Sequence, residues 1–195
     1  QYNQSSGKSN SLVCLSGVFD WNGGAKPNKL GDDVITLGMA SGLGSSCAFE
    51  VGSTCYTAPF TPTPLTAQEC NEQKDKLGIK YCRTDDRDYW GGAVKACKDQ
   101  GKKLPTGAQL AELASQLYVG NPTIGATEYK EGIQFDSNSS TAKSLGLTPY
   151  FFLWSGEEYS SDDAYYRYFT TTGSGWNHIN HSRPISRGQA VCLGD

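Results

Sequence analysis

"AVKACKDQGKKLPTGAQLAEL" (residues 93–113) is the stretch that decides the fold, because a short turn with a proline joins two helical patterns in it. The first pattern extends over residues 86–101, and Gly101 suits the end of a helix. The pair Gly91–Gly92 weakens the local helix propensity, so packing must hold this helix. Four apolar residues share one helical face and predict the buried side: Trp90, Ala93, Val94 and Cys97.

The residues after "LPT" predict the next helix. Thr106 is a suitable N-cap residue, because its hydroxyl oxygen can accept a hydrogen bond from a free N–H of the first turn. An apolar stripe follows at helical spacing, and we assign it to the core: Leu110, Leu113, Ala114 and Leu117. Upstream, residues 66–78 predict a further helix. It begins with a capping-box pattern, Thr66 and Glu69, and Gly78 suits its end.

The first part of the chain is predicted to be rich in β-structure. Its short β-branched or aromatic runs are separated by clusters of Gly, Asn and Ser: 11–19, 32–39 and 47–51. The run 58–66 contains spaced prolines, so we expect it to be extended and not to pair through its N–H groups. We interpret it as a linker, which divides the chain into a segment 1–65 and a domain 66–195.

The second half of the domain has a different pattern. Residues 119–148 are polar and irregular, so we expect an excursion over the surface without a helix. Three strand candidates follow it: 150–155, 164–169 and 189–194.

Composition excludes some classes of function. The net charge of −3 argues against a nucleic-acid partner, which requires a basic face. No apolar run approaches the roughly 18–20 residues of a membrane span. The chain begins without the layout of an export signal, so either the signal has been removed or the sequence is trimmed.

The cysteines predict disulfides in an exported protein. Seven are present without a Cys-x-x-Cys pair, which favours disulfides over the alternative, a cytosolic zinc protein. A Cys97–Cys192 bridge would join the beginning of the domain to its end, and such a loop contributes on the order of 4–5 kcal/mol. The other cysteines allow several pairings. Proximity in sequence favours Cys47–Cys55 and Cys70–Cys82, which leaves Cys14 without an assigned partner.

The order of these elements resembles the C-type lectin fold. More narrowly, residues 93–113, "LWSGEEYSSDDAYYRYF" (153–169) and "GQAVCLGD" (188–195) resemble the bacterial branch of that fold, over roughly residues 82–195. The resemblance implies an α+β domain of two helices and small antiparallel sheets. "CAFEVGSTCYTAPFTPTP" (47–64) resembles the globular part of bacterial minor type IV pilins. That likeness implies a β-rich pilin-like segment. It also implies that the protein would contact a membrane only through a preceding helix, which is absent from the sequence.

The terminal stretch resembles the variable region of proteins that diversity-generating retroelements diversify. Those proteins carry their mutable positions on this fold, just before a fixed closing strand. The two resemblances together imply a surface or pilus subunit with a lectin-type head. Its expected partners are other pilin subunits and a protein or glycan on another cell or phage surface.

Alternation along residues 164–169 gives this strand two faces. Tyr166 and Tyr168 lie on one face, and the other carries Tyr165, Arg167 and Phe169. Because Tyr165 and Phe169 match apolar positions of the resembling family, we assign them to the interior and the other two tyrosines to the surface. Arg167 then requires an acidic partner or a position near water. The alternative is that all the tyrosines of the stretch are half-buried core residues.

The aromatic residues near the end of the chain predict a recognition surface. Trp154 matches a buried position of the family, whereas Trp176 lies among glycines and polar residues and suits an exposed anchor. Tyr and Trp with Ser, Asn and Asp are typical of antibody binding loops. We therefore predict a ligand-binding surface within residues 155–183, made by Tyr159, Asp162, Asp163, Tyr166, Tyr168, Trp176, Asn177, His178, Asn180, His181 and Arg183.

Metal and catalytic sites have weaker signals. His178 and His181 could share a metal ion, but this spacing alone is weak evidence, and we predict no metal site and no cofactor. "WNH" (176–178) places a histidine where calcium-dependent lectins need a carboxylate, although a structural calcium ion near Asp162 and Asp163 stays open.

The adjacent acids 157–158 and 162–163 do not predict a glycosidase. Neighbouring side chains of a strand point to opposite faces, so neither pair can flank one glycosidic bond. We therefore expect a non-enzymatic adhesin module. The alternative is a structural minor pilin subunit whose lectin-type half serves only assembly.

Overall fold

Two of the predicted strands, 150–155 and 164–169, are neighbours in a four-stranded antiparallel sheet. The computed structural model describes residues 47–120, 123–179 and 181–194. The strands of this sheet lie in the order Tyr129–Glu131, Gly173–Asn177, Ala164–Phe169 and Phe151–Glu158. Two small antiparallel sheets pair Phe49–Val51 with Thr54–Tyr56 and Tyr118–Val119 with Gln134–Phe135. The predicted α+β class is confirmed. In chain order the elements are β1 Phe49–Val51, β2 Thr54–Tyr56, α1 Ala67–Leu77, α2 Tyr89–Lys98, α3 Gly107–Ser115, β3 Tyr118–Val119, β4 Tyr129–Glu131, β5 Gln134–Phe135, α4 Ser140–Leu145, β6 Phe151–Glu158, β7 Ala164–Phe169 and β8 Gly173–Asn177.

The predicted capping residues begin and end α1 and begin α3. Thr66 Oγ1 accepts a hydrogen bond from the N–H of Glu69 at 3.0 Å, and α1 ends at Gly78, which has a left-handed φ of 77°. Thr106 forms a full capping box with Gln109, so α3 begins where the sequence predicts. The predicted stripe of α3 and the residue just after it are buried: Leu110, Leu113, Ala114 and Leu117.

The glycine pair of α2 is explained by close packing. Asp88 caps this helix by accepting a hydrogen bond from the N–H of Gly91 at 2.8 Å. Gly92 lies against the carbonyl of Thr63, where a Cβ atom would have no room. Packing therefore requires glycine in spite of its weak helix propensity. The predicted apolar face of α2 belongs to the core: Trp90, Ala93, Val94 and Cys97.

The sheet separates two apolar clusters. One face carries Leu153 and Phe169, which pack with the stripe of α3. The other face carries Phe152 and Trp154, which pack with Trp90 of α2 and with the C-terminal segment. Trp154 is fully buried, as the sequence predicts. Both faces of the sheet centre are thus covered by apolar clusters.

Residues 189–194 form isolated bridges rather than the predicted strand. Phe60 and Ala190 exchange two backbone hydrogen bonds of 2.9 Å, and Tyr56 bridges Leu193. The expectation that the proline-containing run does not pair through its N–H groups is wrong at Phe60. Phe60 is not a proline, so it keeps an N–H group, which donates to the carbonyl of Ala190. The first described residues and the last ones therefore lie side by side.

The favoured disulfides are present. Their Cα atoms are 5.3 Å apart in Cys47–Cys55, 5.7 Å in Cys70–Cys82 and 5.4 Å in Cys97–Cys192. Such bridges indicate an oxidising, extracellular type of environment. Within the described ranges, no helix has the length and apolar character needed to cross a membrane.

Some expectations concern residues that the structure does not describe. Cys14 and the strands predicted at 11–19 and 32–39 lie outside the described residues. The division of the chain after residue 65 stays a prediction.

Residues 119–148 contain more regular structure than predicted. Ser139 caps α4 by accepting a hydrogen bond from the N–H of Ala142 at 2.9 Å, and Gly146 ends the helix with a φ of 63°. Ala142 is buried in the core. The prediction of an excursion without a helix is therefore wrong, because two good caps and one buried side chain hold a short helix here.

Candidate ligand-binding surface

Four rings meet at one end of the large sheet, and we call them the aromatic patch: Tyr159, Tyr165, Trp176 and His178. Tyr165 lies in β7, Trp176 in β8, and the other two lie just beyond β6 and β8. The register pairs Arg167 with Trp176, so the side chains of Tyr165, Trp176 and His178 project from the same face. Sheet geometry therefore brings together residues from three separate segments.

The rings of the patch stack on one another. The ring centroids of Tyr165 and Trp176 are 4.9 Å apart with an interplanar angle of 9°, and those of Tyr159 and His178 are 3.9 Å apart at 21°. Tyr165 also contacts Tyr159 and His178 edge-on, at 5.7 and 4.8 Å. Each ring restricts its neighbours, so the patch is a stiff surface with little side-chain entropy left to lose on binding.

The patch is accessible to solvent. Tyr159 is 52% exposed, and the other three rings are half-buried. Ile179, which follows directly, is an exposed hydrophobic residue. Among the described residues, the hydroxyl groups of Tyr159 and Tyr165 form no hydrogen bond. The patch therefore offers ring edges, hydroxyl groups and an aliphatic side chain to a partner.

Trp176 is supported from below. Its ring lies over Gly107 at the start of α3, where a Cβ atom would approach the ring to 3.1 Å, tighter than ordinary contacts. Arg167, its cross-strand partner, is fully buried. Trp176 is thus a half-buried anchor, less exposed than the sequence suggests.

Arg167 is held by neutral oxygen atoms. Its guanidinium donates to the carbonyls of Gly125 and Ala126 at 3.2 Å and to Ser174 Oγ at 3.4 Å. No carboxylate among the described residues forms an ion pair with it, so the expected acidic partner is replaced by backbone carbonyls. Burial lowers the pKa of Arg167 from its usual value to about 10. These bonds fasten the loop that contains Gly125 beneath the patch.

The two loops that carry the patch are fastened to each other. Ser182 N–H donates to Asp163 Oδ1 at 2.8 Å, and Arg183 N–H donates to the carbonyl of Asp162 at 3.1 Å. Asp162 also forms an ion pair with Arg83 at 2.6 Å and lies 3.8 Å from His181. The two predicted acids therefore hold the loops in place, and each has only part of its surface left for a ligand.

The prediction that Arg183 lies on the exposed surface is wrong. Its side chain is fully buried and pairs with Asp88 and, at 3.0 Å, with Glu158. The guanidinium lies 4.5 Å from the ring centroid of Trp90, a cation–π contact. Asp88 also caps α2, so Arg183 connects the loop to the scaffold. A buried arginine is stable here because two carboxylates satisfy its charge.

Tyr166 and Tyr168 do not join the patch. Tyr166 is half-buried, with its ring 4.5 Å from Phe152 and 6.0 Å from Trp154. Burial raises the pKa of Tyr166. Both tyrosines are half-buried and pack against the apolar cluster on the opposite face of the sheet, so they do not contribute to the aromatic patch.

Tyr165 is the residue of the patch that sequence reasoning missed. The predicted alternation is confirmed, because Arg167 and Phe169 on its face are buried. Tyr165 itself lies at the end of this face, beyond the core of α3, and is half-buried. Recognition of β8 as a strand would have revealed that the sheet places Trp176 on the same face as Tyr165 and close to it. The glycine-rich sequence 173–177 concealed that strand.

Asn177 ends β8, and His181 lies in the loop that follows this strand. Asn177 Oδ1 accepts hydrogen bonds from the N–H groups of His178 and Ile179 at 2.8 and 3.3 Å, which shapes the turn after β8. The side chain of His181 is 77% exposed. Asn180 lies outside the described residues.

The described part of the chain holds no group of three or more His, Cys, Asp or Glu residues placed to bind a metal ion. The patch itself offers contact area, hydroxyl groups and an imidazole. Comparisons with family models, with curated proteins and with solved structures found no match for the chain.

Proposed function

We propose that the chain is a non-enzymatic ligand-binding module whose contact surface is the aromatic patch. The observation that carries this proposal is the meeting of Tyr159, Tyr165, Trp176 and His178 from three segments in one accessible, mutually stacked surface. Aromatic residues in such positions supply most of the binding energy in many interfaces. Loops that are fastened to each other and to α2 supply the rigidity that such a surface requires.

The scaffold supports a lectin-type module. A disulfide joins α2 to the C-terminal segment, that segment lies beside the first described residues, and α1, α2 and α3 precede the strands of the large sheet. These features agree with the C-type lectin resemblance of the sequence. We place the module on a bacterial surface or pilus, as the resemblance of residues 47–64 to minor pilins implies.

Diversification by a retroelement belongs to the same proposal. Positions of the patch can vary without loss of the fold, because they lie above the core. Ser182 and Arg183 cannot, because they hold the loops through buried contacts. Sequencing of the 3′ end of the gene and its neighbourhood should reveal a near-copy beside a reverse transcriptase gene. Mismatches at adenines should fall in codons of the patch, and the codons of Ser182 and Arg183 should match. Mismatches confined to the buried positions would contradict the assignment.

The binding experiment compares a variant of the patch with a control variant at an exposed tyrosine outside it. The ligand is selected on the 195-residue chain from displayed random peptides and from a glycan array. Tyr159→Ala combined with His178→Ala should weaken its binding by at least about tenfold. Tyr129 is 55% exposed but packs on Gly175, away from the patch, so Tyr129→Ala is the control and should bind normally. Equal binding by both variants, with intact folds, would favour the alternative of a subunit that serves only assembly.

A further inference from the structure

A groove lies between α1, α2 and the segment that links α2 to α3. It has a volume of about 270 Å³, and its walls are formed by α1, α2 and the segment 102–106, with Gly156 and Glu157 of β6. Aliphatic side chains contribute to its floor, among them Leu77, Val94 and Leu104.

Three lysines line the groove: Lys98, Lys102 and Lys103. Among the described residues none of them forms an ion pair, whereas nearby Lys95 pairs with Asp99 at 2.7 Å. Glu157 is the one carboxylate of the lining. The groove is therefore locally positive on a chain whose net charge is −3, which suits an anionic occupant.

The groove and the patch share their borders. Thr106 lines the groove, and the next residue, Gly107, lies under the ring of Trp176. Glu157 also lines the groove, and Tyr159 of the patch follows two positions later in the chain. The chain therefore connects the groove directly to the patch at two points.

We infer that the groove is a second subsite, which binds an acidic polypeptide segment of the ligand. The identity of that ligand rests on the proposed function, but the groove itself does not. Lysine ammonium groups would contact Asp or Glu carboxylates at the rim, and the lysine stems and aliphatic floor would contact the intervening apolar side chains.

The lining favours a peptide over an acidic saccharide. Sugar hydroxyl groups require many hydrogen-bond acceptors, and the lining side chains offer few. Thr106 Oγ1 already accepts from the N–H of Gln109 at 3.2 Å, which leaves the carboxylate of Glu157 as the main acceptor. An aliphatic floor with positive charges at its rim matches alternating acidic and apolar side chains.

The test measures the binding of a short fluorescent peptide of alternating Glu and Leu to the full 195-residue chain. Lys102→Gln combined with Lys103→Gln should weaken binding by about tenfold, and added salt should weaken binding to the unaltered chain. The control is Lys130→Gln combined with Lys143→Gln, which removes one half-buried and one exposed lysine, as the test pair does, but outside the groove. Binding to the control should be unchanged.

Three results would overturn the inference. They are an equal loss in both lysine pairs, no loss in either, and binding of a hyaluronan oligosaccharide in place of the peptide. Tyr159→Ala with His178→Ala separates this inference from the proposed function, because it should leave peptide binding intact. If binding of a selected ligand depends on the lysines but not on the patch, the inference about the groove is supported and the proposed function of the patch is contradicted. If binding depends on the patch but not on the lysines, only the inference about the groove is contradicted.

Discussion

The aromatic patch and the buried cluster of Arg183, Asp88 and Glu158 come largely from one polar, aromatic stretch of the chain. In the patch, rings support one another and remain in contact with solvent. In the cluster, a charged side chain is sealed between the sheet and α2 by two carboxylates. The difference shows that composition alone does not make a surface. Side chains stay accessible where no second element covers the end of the sheet.

The largest predicted effect concerns the disulfide between Cys97 and Cys192. Cys97→Ser with Cys192→Ser removes the bridge between α2 and the C-terminal segment. The free energy of unfolding should fall by on the order of 4–5 kcal/mol, because the unfolded chain gains the freedom of a long loop. Chemical denaturation measures it. Cys47→Ser with Cys55→Ser removes a bridge that closes a shorter loop, so the free energy of unfolding should fall by less, about 2–3 kcal/mol. A larger loss in the Cys47 and Cys55 variant would show that the Cys97–Cys192 bridge is not the disulfide that stabilises the fold most.

Arg183→Met tests the buried cluster itself. The variant leaves Asp88 and Glu158 without their cation in a buried site, so it should lose about 3–5 kcal/mol of stability. Thermal and urea unfolding measure the loss. The control is Arg187→Met at an exposed arginine nearby, with a change of less than about 0.5 kcal/mol. A small loss in Arg183→Met would mean that this side chain is free to contact a ligand after all.

A pair of tyrosines separates the two regions more finely. Tyr166→Ala removes a ring that packs on Phe152 and Trp154 and should cost about 2 kcal/mol of unfolding free energy. Tyr159→Ala removes an exposed ring and should cost less than about 1 kcal/mol. The same denaturation experiment compares them. Equal losses of stability would contradict the assignment of Tyr166 to the scaffold and of Tyr159 to the surface.

The three longer helices and the two short-range disulfides were predictable from the sequence, because each depends on local signals. Thr106 and Gly78 mark helix ends by chemistry that operates within one turn. The membership of the patch was predictable only in part. Tyr165 enters it through pairing with β8, a contact between distant segments. Arg183 is buried because it pairs with Asp88, which is distant from it in the sequence.

The smallest predicted effect is a pH dependence. The pKa of Tyr166 is raised in the folded chain by burial, so the unfolded chain ionises first at this residue. Its contribution to stability is present below the ordinary tyrosine pKa of about 10 and is lost as the pH rises further. Tyr166→Phe should therefore lose less stability than the unaltered chain between neutral and strongly alkaline pH. Identical pH profiles would contradict the burial of this hydroxyl group.

Footprinting by hydroxyl radicals tests the central claim most directly, because it reports which side chains a ligand covers. The 195-residue chain is oxidised alone and with its selected ligand, and mass spectrometry quantifies the modification of Tyr159, Trp176 and Tyr129. We predict that the ligand protects Tyr159 and Trp176 severalfold and leaves Tyr129 unchanged. Protection of Tyr129 alone, or no reactivity of Tyr159 in the free chain, would contradict the account.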